Sequence, residues 1–195
     1  GERLPSIFEL DLVRKDGSTV PVEARTRFLR DHTGAVKGLL GIYRDITARK
    51  RTEEALRHSE ERYRELFENA NDMITMIALD GTFLTVNRKA EQLLGYSREE
   101  LIGQDSHLFA TPASAALGDE RTRRVFAGET VSPFFELELV RRDGTLIPVE
   151  ARIRFMRDDQ GKPIGFHGIY RDVTERKQAE TKSQLADRII ATMQS

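Results

Sequence analysis

A repeat with an offset of 127 residues constrains this chain more than any other feature of its sequence. Residues 8–50 align without a gap with residues 135–177, and 27 of the 43 aligned residues are identical. Such close self-similarity predicts that both segments adopt the same local structure. Because residues 1–2 align with residues 128–129, we expect the chain to open partway through a first unit whose earlier part is absent.

Each copy alternates apolar and polar residues around an Asp-Gly pair, at 16–17 and again at 143–144. The alternation is typical of strands, and an Asp-Gly pair predicts a two-residue hairpin turn between them. A further turn at Gly161 leads to one more strand, so each copy is expected to form a three-stranded antiparallel meander. Thr47 and Thr174 follow the last strands, and a threonine in that position predicts a helix N-cap.

Residues 48–70 contain no glycine or proline and consist largely of strong helix formers, which predicts one continuous helix. An apolar stripe with spacings of three and four residues runs along this helix and includes Leu56, Tyr63 and Leu66. It predicts either the seam of a short coiled coil or a face that packs on the core. The second copy repeats the seam in residues 175–195, where it includes Ile190 and Met193. We expect a homodimer built partly by these linker helices, with exchange of a meander between two chains as the alternative.

Between the linker helix and the second meander, the sequence predicts a hairpin and several short helices. An Asp-Gly pair at 80–81 marks the hairpin turn, and Asn87 is placed to cap the helix that follows. Ser97 and Glu100 have the spacing of a capping box. Further short helices are predicted over residues 105–111 and 113–127.

The composition narrows the classes of function. The 31 basic and 32 acidic residues nearly cancel, so no field over the whole chain favours nucleic acid or an anionic membrane surface. With no cysteine, the chain has neither a disulfide nor a thiolate nucleophile or metal ligand. No apolar run approaches the ~20 residues that span a bilayer, and we expect a cytoplasmic location without membrane contact. The common catalytic sequence motifs are absent, so the chain is not expected to be an enzyme.

The segment FLTVNRKAEQLLGYSREELIG, with the closing GIYRDVTERK and its earlier copy GIYRDITARK, resembles a PAS domain with its PAC tail. The resemblance implies an α+β fold with a five-stranded antiparallel sheet in the order 2-1-5-4-3. Short helices are expected over one face, with a small pocket between them and long linker helices on either side. We therefore divide the chain into an incomplete PAS domain, a linker helix, a complete PAS domain and an output linker helix, at residues 1–47, 48–70, 71–174 and 175–195.

In such domains a closing Asp-x-Thr motif joins the last strand to the output helix. The resemblance implies this signal-coupling role for Asp45 and Thr47 in the first copy, and for Asp172 and Thr174 in the second. Oxygen atoms at a helix N-terminus satisfy N–H groups that have no partner within the helix, which gives the motif a local purpose. Simple capping without a signalling role is the alternative.

Strand alternation places Phe166, Gly168 and Tyr170 on one face of the last strand. The resemblance implies that this face lines the pocket, and core packing without ligand contact is the alternative. In the related light-oxygen-voltage domains, the position of Ser106 holds the cysteine that reacts with flavin. A serine cannot form that thioether, so a covalent flavin adduct is excluded, whereas non-covalent flavin stays open.

A bound haem requires an axial ligand such as a neutral histidine that faces the pocket. His107 is the candidate near the pocket wall, and a surface or capping role is its alternative. The histidine and acidic residues do not have the spacing of a metal site. We expect the pocket to hold no cofactor or a small metabolite.

Three functions follow from these expectations. The first is a sensory relay module that couples pocket or dimer changes, through the linker helices, to an output domain such as a histidine kinase or a diguanylate cyclase. The second is a haem- or flavin-bearing sensor of oxygen, redox state or light. The third is a ligand-free dimerisation scaffold. The repeated junction and helical seam favour the first.

Overall fold

A computed structural model describes residues 7–193, apart from the side chains at 187 and 190–193. The chain divides into two compact units, with the boundary after Tyr63. The predicted seam residues Ile190 and Met193 have side chains outside the described part of the chain. Among the described helices, none is long and apolar enough to cross a membrane.

The first unit contains a three-stranded antiparallel sheet in the order β1-β2-β3. Its strands are β1 (Ile7–Val13), β2 (Thr19–Arg30) and β3 (Val36–Asp45). Among the described residues of this unit, only three apolar side chains are buried and many large ones are exposed, because three strands provide no second layer to cover a sheet face. The exposed residues include Phe8, Phe28, Leu39, Ile42 and Tyr43.

Helix α1 (Thr47–Glu68) follows the first sheet and has no buried residue. The side chains of its predicted seam are exposed by 61% at Leu56, 58% at Tyr63 and 75% at Leu66. A core-facing role for this stripe within one chain is therefore wrong, because the stripe faces solvent.

The second unit is a five-stranded antiparallel sheet with short helices. Along the chain it contains β4 (Met73–Ala78), β5 (Phe83–Val86), α2 (Arg88–Leu94), α3 (Arg98–Leu101), a 3₁₀ helix (Ser106–Phe109), α4 (Pro112–Phe126), β6 (Phe134–Val140), β7 (Leu146–Arg157), β8 (Pro163–Asp172) and α5 (Thr174–Met193). The strand order is β5-β4-β8-β7-β6. This confirms the α+β fold and the predicted order 2-1-5-4-3.

Strand β4 extends the second of the two similar meanders, which consists of β6, β7 and β8, into a five-stranded sheet. It pairs with β8, so that Met73 lies opposite Tyr170 and Ile77 lies opposite Phe166. The core of the second unit forms on this sheet from buried side chains of the strands and of α2, α3 and the 3₁₀ helix. Because of this added layer, Tyr170 is 6% exposed whereas its repeat counterpart Tyr43 is 51% exposed.

The Asp-Gly turns differ from the two-residue hairpins that the sequence predicts. Between β6 and β7, Gly144 donates its N–H to the carbonyl of Arg141, and Arg141 donates its N–H to the carbonyl of Thr145. Gly144 has a φ of 80°, in the left-handed region that favours glycine. The result is a three-residue loop, in which a type I turn is followed by a left-handed glycine. The aspartate contributes by accepting the N–H of Thr145 at 2.9 Å.

Two of the predicted helix caps are confirmed. The Asn87 side chain accepts the N–H of Ala90, and Ser97 and Glu100 form a reciprocal capping box. The helices after them start and end at different residues from those predicted. The 3₁₀ helix covers only Ser106–Phe109, and Thr111 caps α4, which begins at a proline because the first helical position needs no N–H partner.

Candidate functional site

A cavity of about 350 Å³ lies in the second unit, lined on one side by the sheet and on the other by the 3₁₀ helix and α4. This volume is at the small end of the roughly 300–1,000 Å³ that ligand pockets occupy. Its lining is largely apolar and includes Met73, Ile77, Phe109, Leu139, Ile153, Phe155 and Phe166.

Four of the five predicted pocket residues line this cavity, namely Ser106, His107, Phe166 and Tyr170. Gly168 does not, and the expectation for that residue is corrected. A Cβ atom built at position 168 would lie 2.7 Å from the ring of Tyr170. The missing side chain therefore makes room for this ring, which bends back along β8.

Tyr170 and Ser114 are buried residues with polar groups on the cavity wall. Burial raises the pKa of the Tyr170 hydroxyl, and the hydroxyl of Thr75, on the adjacent strand β4, opposes part of that rise. Thr75 is itself completely buried. The phenol therefore stays protonated and neutral at physiological pH.

Both ring nitrogens of His107 are engaged by carboxylates. Nδ1 lies 2.6 Å from Oδ1 of Asp105, and Nε2 lies 3.0 Å from Oδ1 of Asp119. The hydrogen bond to Asp105 is the main reason that the pKa of His107 is raised, with Asp119 adding to the effect. A haem iron needs a neutral ring nitrogen with a free lone pair, so this histidine does not fit as an axial ligand. Over the described residues, no cluster of three or more potential ligands could hold a metal ion.

Arg121 on α4 is a cavity residue that the sequence reasoning missed. Its guanidinium carbon lies 4.1 Å from the centroid of the Phe135 ring, and it donates a hydrogen bond to the carbonyl of Ser132. Burial lowers the pKa of Arg121, and the positive charge of Arg124 lowers it further. Helix α4 carries three arginines, and only the packing of the helix shows which one faces the cavity.

The junction between β8 and α5 is held by Asp172. Its Oδ1 accepts the N–H of Thr174 at 2.8 Å, and Asp45 holds Thr47 at the same distance in the first unit. The threonines are the first helical residues, so the prediction that they are the N-caps is wrong. The pKa of Asp45 is lowered mainly because the Thr47 hydroxyl also donates to it.

A cluster of charged side chains connects the first turn of α5 to strand β6. We call it the Glu136 cluster, and it consists of Glu136, Arg176 and Lys177. The carboxylate lies 3.0 Å from Arg176 and 2.6 Å from Lys177. In the first unit Glu9 contacts Arg49 and Lys50 in the same way. The sequence carries a signal for the cluster, since a glutamate and an Arg-Lys pair recur at the 127-residue offset, but its meaning depends on the fold.

Within the second unit, the last turn of α1 is held by the buried side chain of Asn87. Its amide nitrogen donates to the carbonyls of Phe67 and Asp72, while its oxygen accepts from the N–H groups of Ile74 and Ala90. All four hydrogen bonds that an asparagine amide can make are therefore used.

Asp72 also connects the entry and exit of the second unit. It follows α1 in the chain and forms an ion pair of 3.0 Å with Arg171, which lies one residue before Asp172 on β8. The start of β4, which follows α1, therefore lies next to the end of β8, which leads into α5.

Family models agree with this structure over most of the chain. A model described as the PAS fold matches residues 67–178, and a model described as a PAS domain matches residues 3–48. The chain belongs to the PAS domain family.

Two sensors illustrate the relationship. The chain is 33% identical over 133 residues to the methyl sulfide methyltransferase-associated sensor of Methanosarcina acetivorans, covering 68% of this chain and 13% of that protein. It is 30% identical over 166 residues to sensor protein FixL of Bradyrhizobium diazoefficiens, covering 84% of this chain and 32% of that protein. The chain thus spans less than a third of the length of either relative.

A solved structure shows the same fold. The PAS domain of an HTR-like protein from Haloarcula marismortui is similar with a TM-score of 0.52 and 31% identity, covering 63% of this chain and 98% of that domain. Relatives of this kind are sensor domains of signalling proteins, and the chain is a sensory module of signal transduction.

Proposed function

We propose that residues 71–174 sense a small metabolite in the cavity and relay its presence through α5 to an output domain in the same polypeptide. The observation that carries this proposal is the position of Tyr170. It lines the cavity and lies two residues before Asp172, which holds the first turn of α5. An occupant that displaces the ring acts directly on the strand that leads into the helix.

The relay would act through a small movement of β8. Phe166 and Tyr170 lie on the same face of this strand, so both respond to the same occupant. The Glu136 cluster holds the start of α5 against β6, so a shift of β8 relative to β6 changes the angle at which the helix leaves the sheet. A stiff helix then transmits rotation or sliding over its whole length.

A variant that fills the cavity tests this coupling without a known ligand. Ala115 lines the cavity, whereas its neighbour Ala116 is exposed on the same helix. We expect Ala115→Leu to change amide hydrogen exchange over the first two turns of α5, and Ala116→Leu to leave that exchange unchanged. If both variants have the same exchange in α5 while Ala115→Leu still fills the cavity in its own structure, the proposed coupling is wrong.

We further propose that the linker helices associate two chains into a homodimer. The support is the exposed apolar stripe on α1 that includes Leu56, Tyr63 and Leu66. Leu56→Lys should shift the chain towards monomer in sedimentation equilibrium at tens of micromolar, because it places a charge in the seam. Ala55→Lys is the matched control, one residue off the seam. A monomeric wild-type chain contradicts the proposal.

The remaining parts of the proposal concern the whole polypeptide. We place catalysis outside this chain, in an output domain such as a histidine kinase or a diguanylate cyclase, and we place the chain in the cytoplasm. The cavity is assigned to a metabolite rather than to haem, because the one histidine on its described wall is held by Asp105 and Asp119. A small colourless metabolite is therefore expected in the denatured extract of the purified protein.

A further inference from the structure

Among the described residues that line the cavity, Arg121 is the only arginine, and there is no lysine. The nearby carboxylates are already engaged with other cations. Asp119 pairs with His107, Glu120 with Arg123 and Glu129 with Arg124, at 3.0, 2.7 and 2.7 Å. Within the described residues, Arg121 itself has no ion pair.

The surroundings of Arg121 favour an anionic partner. One face of the guanidinium is covered by the Phe135 ring, and one of its donors is used by the carbonyl of Ser132. A guanidinium has five N–H donors in a flat fork that matches a carboxylate. A cation that is partly removed from water without a counterion costs free energy, and an anionic ligand offsets that cost.

The other charged groups on the wall decide what kind of anion fits. Asp80, His107 and Asp119 also line the cavity, and His107 is already paired with the carboxylates of Asp105 and Asp119. A second carboxylate on the ligand would meet either these aspartates or the apolar strands. The chemistry therefore suits a single carboxylate attached to an apolar body.

We propose that the cavity binds an apolar monocarboxylate, with its carboxylate on Arg121 and its apolar body against Phe109, Leu139 and Ile153. This inference rests on the proposed sensing function and names the chemical class of its ligand. It makes Arg121 the residue that determines specificity for acids over neutral molecules of the same shape.

The test compares an acid with its amide by titration calorimetry on the 195-residue chain at pH 7. The probes are 4-phenylbutyrate and 4-phenylbutanamide, which differ only in the charged group. We expect the acid to bind about tenfold more tightly, as is typical for a charge-assisted hydrogen bond that replaces a neutral one. Arg121→Gln should remove this preference, and Arg121→Lys should keep part of it because the charge is retained.

Arg124→Gln is the matched control. It removes an arginine from the same helix, but that arginine pairs with Glu129 and does not line the cavity. Thermal unfolding of each variant shows that it is folded before it is titrated. A preference for the acid that is lost with Arg121→Gln and kept with Arg124→Gln supports the inference.

Three results would overturn the inference that the cavity binds a monocarboxylate. Each of them can be distinguished from a failure of the proposed sensing function. Equal binding of acid and amide, or a preference that survives Arg121→Gln, removes the carboxylate site but leaves a ligand-binding cavity. Absence of binding by both probes also overturns the inference. The response of α5 to Ala115→Leu then decides independently whether the relay itself fails.

Discussion

The carboxylate of Glu136 lies 2.6 Å from the Nζ atom of Lys177 and thereby joins strand β6 to the first turn of α5. Glu9 and Lys50 form the same ion pair at 3.0 Å in the first unit. The meander and the start of the following helix thus form one repeated structural element. The element holds the start of the helix at a defined angle to the strands, and a relay through α5 requires such a defined angle.

Removing the Glu136 carboxylate should loosen α5. With Glu136→Gln, the ion pairs to Arg176 and Lys177 are lost, and amide exchange in the first turn of α5 should rise about two- to fivefold, in keeping with an exposed ion pair. Glu138→Gln is the control, since Glu138 is exposed on the same strand and forms no ion pair within the described residues. Equal exchange in the two variants contradicts a structural role for the cluster.

Asp172 rather than Thr174 should determine the stability of the junction. Asp172→Ala removes the acceptor of the Thr174 N–H and should cost about 0.5–2 kcal/mol, the usual loss for a helix cap. Asp172→Asn keeps an acceptor oxygen and should cost little. Thr174→Val tests the other residue, because it deletes the hydroxyl and keeps the shape. Urea denaturation measures all three, and a larger loss for Thr174→Val than for Asp172→Ala would contradict this assignment.

The stability of the second unit should depend on the charge of His107. The pKa of His107 is raised in the folded state by Asp105 and Asp119. Its stabilising contribution is therefore fully present below the ordinary histidine value of about 6.5 and is lost as the pH rises through the raised value. The loss should be less than about 1 kcal/mol, because the pair is partly exposed to water.

Urea unfolding at pH 6 and pH 8.5 measures this effect. The wild-type free energy of unfolding should fall over that interval by more than that of His107→Gln, which does not titrate. His32→Gln is the control, since that residue lies in a turn of the first unit. Identical pH dependence in the wild type and His107→Gln contradicts the prediction.

Replacement of two equivalent glycines, Gly168 and Gly41, by alanine should lower the free energy of unfolding by different amounts. The Cβ of Gly168→Ala would lie 2.7 Å from the Tyr170 ring, and that of Gly41→Ala would lie 2.8 Å from the Tyr43 hydroxyl. Tyr170 is buried and must push into the cavity, which should cost about 1–3 kcal/mol. Tyr43 is half exposed and can rotate into water, so Gly41→Ala should cost much less. Chemical denaturation followed separately for each unit compares the two losses.

A second glycine pair tests the pairing of β4 with β8. The Cβ of Gly165→Ala would lie 2.5 Å from the backbone oxygen of Ile77, whereas that of Gly38→Ala would meet no atom within 4 Å. Gly165→Ala should therefore destabilise its unit by more than about 2 kcal/mol, because a backbone atom on the adjacent strand cannot move aside. Gly38→Ala should be nearly neutral. Similar losses in the two variants would mean that β4 does not occupy this position.

Several parts of the fold could be predicted from the sequence because they depend on neighbours along the chain. Alternation of apolar residues marks the strands of both meanders, and the side chains of Asn87 and Ser97 cap helices that begin immediately after them. The glycines of the turns were identified correctly as well. The turn type was not, because the same Asp-Gly pair fits a two-residue or a three-residue loop and strand register decides between them.

The candidate site was predictable only in part. Phe166 and Tyr170 follow from the alternation of one strand, and both line the cavity. Gly168 lies on the same face, but the bent ring of Tyr170 separates it from the cavity, and strand alternation does not reveal the direction of a side chain along its strand. Arg121 was missed because its helix carries arginines on more than one face.

The sequence by itself determined that two similar meanders exist, where they turn and where a helix follows each of them. Only the tertiary structure decided that β4 completes the second meander, that Arg121 faces the cavity and that His107 lies between Asp105 and Asp119. The physical reason is the distance over which each interaction acts. Turns, caps and strand alternation depend on residues a few positions apart, whereas the cavity is enclosed by residues from Met73 to Tyr170 that meet only when the helices pack on the sheet.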